Sequence, residues 1–167
     1  MKIFIVGGTG FVGRYVVKEL LAAGHQVTAL VRSSSKVSVI PPGADHLVGN
    51  PMVAGDWQNA ISDFDVIINF AGANIFCRWT AENKKLLYES RIRTTGNIVD
   101  ALKKQGKGKQ QTLINTSAVG YYGFCGDETM FKDAPPGSDF LASICVDWEK
   151  EAGRASEAGV RVVTPRF

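Results

Sequence analysis

Gly7, Gly10 and Gly13 stand at intervals of three between an apolar run that ends at Val6 and a helix-forming run that begins at Phe11. Each glycine answers a separate steric need: Gly7 a tight turn, Gly10 close backbone approach to a ligand, Gly13 close packing of the next helix on the strand. The helix that follows aims free backbone N–H groups and its positive dipole end at the same point, which suits a phosphate. On its own the spacing would equally serve a turn that needs positive φ. Between a strand and a helix, inside a βαβ unit, it reads as a cradle for a dinucleotide pyrophosphate.

The residue that ends the second strand decides which dinucleotide. An acid there accepts a hydrogen bond from the ribose 2′-hydroxyl of NAD, but this chain stays apolar through Leu30 and Val31 and then places Arg32. With Ser33, Ser34, Ser35 and Lys36 behind it, Arg32 offers a guanidinium, hydroxyls and an ammonium to a 2′-phosphate, so NADP is expected rather than NAD. The competing reading is a solvated Ser- and Lys-rich loop.

Other chemistries find little support. Cys77, Cys125 and Cys145 are odd in number and far apart, as expected of reduced thiols in a cytoplasmic protein, and with only His25 and His46 beside them no metal site is expected. A net charge of +3 without aromatic residues among the basic ones argues against nucleic acid. The Lys103, Lys104, Lys107 and Lys109 cluster reads as a solvated helix end stopped at Gly106. No apolar run approaches the roughly 20 residues of a membrane span.

The elements that must hold these residues alternate strand and helix. Strands are expected at Lys2–Val6, Val27–Val31, His46–Val48, Val66–Asn69, Thr112–Thr116 and Val160–Thr164. Helices are expected at Phe11–Ala23, Trp57–Ile61, Ala81–Gln105 with Thr80 as N-cap, and Phe140–Ala158, with a loop from Ser117 to Ser138. Alternation of this kind gives an α/β, three-layer Rossmann fold: a doubly wound parallel sheet of order 3-2-1-4-5-6. One domain over residues 1–167 is expected. Because the last strand has nothing after it to cover it, a chain cut short at its C-terminus is expected too.

The opening Gly7-Gly-Thr-Gly-Phe-Val-Gly13 resembles the extended and atypical short-chain dehydrogenase/reductases. Asn69-Phe-Ala-Gly-Ala-Asn-Ile75, Arg78-Trp79, Ser90-Arg-Ile-Arg-Thr-Thr95, Thr116-Ser-Ala-Val-Gly-Tyr-Tyr-Gly123, Asp139-Phe-Leu-Ala142 and Trp148-Glu149 narrow the likeness. They resemble an NAD(P)-dependent epimerase/dehydratase-like subgroup named for nucleoside-diphosphate-sugar epimerases. The resemblance adds Thr9, Phe11 and Val12 to the cofactor cradle, and puts Asn69, Ala71, Gly72 and Ala73 beside the ribose and nicotinamide. Arg78 reads either as a contact to a phosphate or substrate anion, or as a surface arginine packed on Trp79. The resemblance also implies a C-terminal substrate lobe, absent from these residues.

The resemblance breaks at the catalytic groups. Active relatives carry Tyr-x-x-x-Lys on the helix before the sixth strand, with the lysine tuning the tyrosine for proton exchange. Aligned on Glu149, those positions hold Leu141 and Cys145, and Arg91 stands where extended members often have asparagine. Ser117 remains as the candidate catalytic hydroxyl, in a register certain to within one residue, and Tyr121 and Tyr122 read as a substitute acid or as a hydrophobic wall. Two functions stay open: an NADP-dependent oxidoreductase or epimerase-like enzyme acting on a carbonyl or sugar nucleotide, and a catalytically silent dinucleotide-binding module with a regulatory or redox-sensing role. The small-molecule substrate and the oligomeric state, homo-oligomer included, are not legible in the sequence.

Overall fold

A computed structural model of the chain describes residues 1–104 and 110–167. Its centre is a six-stranded, wholly parallel sheet of order 3-2-1-4-5-6, built from β1 (Lys2–Val6), β2 (Gln26–Val31), β3 (Asp45–Val48), β4 (Val66–Asn69), β5 (Thr112–Asn115) and β6 (Arg161–Val163). The expected Rossmann fold is the observed one. Parallel strands covered on both faces must be apolar throughout, and β1 shows it: Ile3, Phe4, Ile5 and Val6 are all buried.

Among the described residues three α-helices flank the sheet: α1 (Phe11–Ala22), α2 (Ala81–Lys104) and α3 (Phe140–Gly153). One face is sealed by Phe4, Trp57, Phe64, Ile98 and Leu102, with Phe4 stacked parallel to Trp57 at 6.4 Å. The other face is sealed by Ile3, Ile5, Val17, Val27 and Ile68 under α1.

The ends of elements depart from the sequence reading in small, local ways. The expected short helix at Trp57–Ile61 is a 3-10 segment over Asp56–Asp63, and the expected helix to Ala158 is α-helical only to Gly153 before tightening to 3-10 over Arg154–Ala158. Tightening of this sort is usual where a helix runs out of i−4 partners. Thr116 falls just outside β5, although its N–H continues the ladder to the Asn69 carbonyl at 3.1 Å and its hydroxyl donates to the same oxygen at 2.9 Å. Thr80 caps α2 by accepting the Asn83 N–H at 3.2 Å. The expected stop at Gly106, with Gln105, Lys107 and Lys109, lies outside the described residues, and Lys103 pairs with Glu157 at 2.6 Å. Among the described residues no helix is long and apolar enough to cross a membrane.

Candidate functional site: a glycine cradle and its neighbours

The carboxyl ends of β1, β2, β4 and β5 converge at one edge of the sheet, and the predicted residues gather there. Gly7 leaves β1 at φ +85°, a conformation that favours glycine, and a Cβ on it would lie 2.9 Å from the Ala71 nitrogen. The turn after β1 and the loop after β4 are therefore in direct backbone contact. A Cβ on Gly13 would meet the Gly7 carbonyl oxygen at 2.2 Å, so α1 rests against the turn that precedes it. Gly10 is different: it is exposed, extended, and would bring a Cβ no nearer than 3.2 Å to the Gly7 oxygen.

Gly10 also occupies the N-cap of α1, where no side chain caps the helix and no acid stands in the first turn. The first N–H groups of a helix lack intrahelical partners. Here they face the space above Gly10, with Thr9 half-buried and Phe11 and Val12 exposed beside it. An uncapped helix start behind glycines that exclude side chains can hold a phosphate. Arg32 and Ser33 follow β2 directly, next in the sheet to β1, and both are exposed. Ser33 and Ser35 share a 2.8 Å hydrogen bond, and no carboxylate stands at this strand end.

Beneath the loop after β4 lies a buried polar network that the sequence reading did not assemble. Asn69 and Asn115 end neighbouring strands in register. The Asn69 amide N–H donates to Asn115 Oδ1 at 2.7 Å and to Thr95 Oγ1 at 3.1 Å, and Trp148 Nε1 donates to the same Thr95 oxygen at 2.8 Å. Asn69 Oδ1 accepts the Ala71 N–H at 3.0 Å, while Ser90 Oγ accepts the Ala73 N–H at 2.9 Å. Asn69 thus shapes the Ala71–Gly72–Ala73 loop from below, fully buried, and only Gly72 of that trio is exposed.

Ser117 is buried and donates to Glu149 Oε1 at 2.6 Å. Glu149 is gripped by Arg166, with Nε on Oε1 and Nη2 on Oε2, both at 2.8 Å. Burial pushes the Glu149 carboxyl up, but the hydrogen bonds from Arg166 and Ser117 and the Arg166 charge outweigh it and hold it below the usual carboxylate range. A carboxylate only accepts, so the Ser117 proton is committed to Glu149, and toward any ligand this hydroxyl offers lone pairs. Arg166 also donates to the Tyr122 hydroxyl at 2.7 Å and lies 3.5 Å from the Tyr121 ring centre. Cys145 faces this cluster from α3, buried beside Ser117 and Ala118, and its thiol is pushed up by that burial; Leu141, on the same helix, lies against Gly120.

Arg78 is exposed, and the neighbouring Trp79 indole packs edge-on against Phe140 at 5.8 Å and donates to the Ile75 carbonyl. Trp79 thereby joins the loop after β4 to α3. Glu149 was used in sequence only to align α3, and Arg166 carries no local sequence signal. A separate groove lined by Ala54, Gln58, Asn97 and Lys104 shares no residue with the predicted site.

A parallel sheet of this order with a glycine turn leading into an uncapped helix defines a Rossmann domain of the dinucleotide-binding class. The chain belongs to the NAD dependent epimerase/dehydratase family, which it matches over residues 3–167. It is 35% identical over 168 residues to the epimerase family protein SDR39U1 homolog, chloroplastic, of Arabidopsis thaliana, covering 100% of this chain and 48% of that protein. To the epimerase family protein YfhF of Bacillus subtilis it is 34% identical over 175 residues, covering 100% and 54%. The chain spans about half the length of the curated relatives it matches. Among solved structures, the nucleoside-diphosphate sugar epimerase from Corynebacterium glutamicum superposes with TM-score 0.80 at 31% identity, over 99% of this chain and 33% of that one. The human epimerase family protein SDR39U1 (isoform 2), solved with NADPH, superposes with TM-score 0.75 at 26% identity, over 99% and 53%.

Proposed function

We propose that the chain is an NADP-binding domain of an oxidoreductase or epimerase-like enzyme acting on a carbonyl or sugar-nucleotide substrate, in the reducing cytoplasm that its free cysteines suit. One observation carries the cofactor choice: Arg32 and Ser33 stand exposed at the end of β2, where no acid is present to prefer a 2′-hydroxyl. The NADPH bound by the human relative supports the same choice. In this reading Gly7, Thr9, Gly10, Phe11, Val12 and Gly13 hold the pyrophosphate against the start of α1, and Arg32 and Ser33 hold the 2′-phosphate. Ala71, Gly72 and Ala73 border the nicotinamide side, with Arg78 at its outer rim. NADP, when bound, supplies the hydride acceptor or donor. Ser117 serves as the candidate catalytic hydroxyl in the one role left to it, accepting a hydrogen bond from a substrate hydroxyl.

Arg32→Ala is expected to narrow the NADPH-over-NADH preference by roughly ten- to a hundredfold, from the loss of a charge-assisted hydrogen bond of about 1.5–3 kcal/mol. A calorimetric titration that finds the affinity ratio unchanged removes the assignment.

A second reading has its own observation. Neither Leu141 nor Cys145 exchanges protons as a tyrosine–lysine pair does, and the Ser117 proton is held by Glu149. These features favour a silent dinucleotide-binding module with a regulatory role. Both readings predict that the 167-residue chain, saturated with NADPH, shows no appreciable turnover on sugar nucleotides or simple carbonyls, since positioned acid/base groups supply roughly 10²–10⁴-fold. Robust NADPH oxidation across such a panel would require Tyr121 or Tyr122 as the proton donor, or release of the Ser117 proton from Glu149.

A further inference from the structure

We propose that Arg91 anchors an anion subsite on the substrate side of the cleft, taking a carboxylate or phosphate group of a ligand seated over the Ala71–Gly72–Ala73 loop. The proposal rests on the NADP-site reading for its orientation. Arg91 lies on α2, half-buried, and its guanidinium donates to two neutral acceptors: the Leu87 carbonyl at 2.9 Å and the Ala73 carbonyl at 3.2 Å. It lies over Trp148, 5.2 Å from the ring centre. Among the described residues no carboxylate forms an ion pair with it. The contrast is with Arg166, on Glu149, and Arg154, on Asp100 and Glu151.

An uncompensated, partly desolvated cation is costly to a fold. Burial pulls Arg91 below the usual arginine range, and its one interacting titratable neighbour, Cys145, is held as the neutral thiol by its own burial. A strut for the loop would not need this charge, because Asn69 and Ser90 already hold the Ala71 and Ala73 N–H groups. A guanidinium has five N–H donors, and the two carbonyls engage two of them. The guanidinium packs against Gly72: a Cβ there would be 3.0 Å from the Arg91 Cζ, 3.1 Å from Nη2 and 3.3 Å from Nε, which makes neither of the two carbonyl bonds. Gly72 is exposed at the carboxyl end of β4, the edge where ligands of such sheets lie. Its lack of a side chain lets the half-buried guanidinium lie against the loop at that edge.

Thermal unfolding of the parent chain and of Arg91→Met, free and saturated with NADPH, with acetate or inorganic phosphate added at constant ionic strength, tests this. At about ten times the dissociation constant an anion bound at Arg91 raises the parent Tm by roughly 3–6 °C. With NADPH present, the parent is expected to keep that increment and Arg91→Met to lose it, with Arg91→Lys retaining part. An increment seen only in the free protein assigns Arg91 to the cofactor's own phosphates and overturns the substrate-side placement. Equal increments in parent and Arg91→Met overturn the subsite altogether. Should Arg91→Met fail to fold, the Arg91 Nε–H resonance of the NADPH-bound parent reads the same point, and no shift on adding phosphate contradicts the proposal. Failure of NADPH itself to raise Tm would instead count against the NADP reading, independently of Arg91.

Discussion

Gly10→Val is expected to abolish NADPH binding and to leave the domain folded. The position separates the two outcomes because the protein itself asks for only a small adjustment: the one close atom to a new Cβ is the Gly7 carbonyl oxygen at 3.2 Å, which must give by a few tenths of an ångström, and the backbone φ of −75° is open to any residue. What a valine would fill is the space above the start of α1, where a pyrophosphate must approach the backbone to reach its N–H groups. Loss of those contacts costs affinity in multiples of the 1.5–3 kcal/mol typical of one charge-assisted hydrogen bond. Gly13 is the informative contrast. A Cβ there collides with backbone, 2.2 Å from the Gly7 oxygen and 2.8 Å from the Gly8 Cα, so Gly13→Ala disturbs the packing of α1 itself. Circular dichroism and titration together distinguish them: a Gly10→Val protein that is folded and still binds NADPH with parent affinity contradicts the cradle.

Arg166→Ala has the largest expected effect on stability, about 3 kcal/mol, the lower end for breaking a buried ion pair because both side chains keep nearly a fifth of their exposure. It strands Glu149, already bonded to Ser117, and removes the group that holds the Tyr122 hydroxyl and the Tyr121 ring. Against a total stability of about 5–15 kcal/mol this is a substantial fraction. The pH dependence follows from the direction of the Glu149 shift. Its folded-state carboxyl lies below the ordinary value of about 4.3, so the pair's contribution is complete above that value and is lost as pH falls through the lower folded-state value. Chemical denaturation at neutral pH and at progressively lower pH should show the gap between parent and Arg166→Ala closing on acidification. A gap that stays constant to strongly acidic pH contradicts the charge-pair account.

The cradle was legible in the sequence because its signals are local. Gly10 and Gly13 meet atoms within a few residues and Arg32 follows its strand directly, so spacing along the chain carries that geometry, whereas the close approach of Gly7 to Phe70 and Ala71 appears only in the fold. Val66-Ile-Ile-Asn69 and Thr112-Leu-Ile-Asn115 held a further clue, since both apolar strands end in asparagine. Only the register of β4 on β5 shows that the two amides meet. Ser117 shows the limit most plainly: its place at the end of β5 follows from sequence, but its bond to Glu149 depends on how α3 packs on the sheet, and Glu149's on a residue beyond β6. Arg91 was noticed as a departure from a motif. That it lacks an acid and lies behind Gly72 is a tertiary fact.

The central claim is tested most directly by titrating the unmodified chain with NADPH and with NADH in a calorimeter. One NADPH per chain, bound at least about tenfold more tightly than NADH, is the result this account predicts from a single added charge-assisted contact at Arg32. NADH bound as tightly as NADPH, or no binding of either, would contradict it.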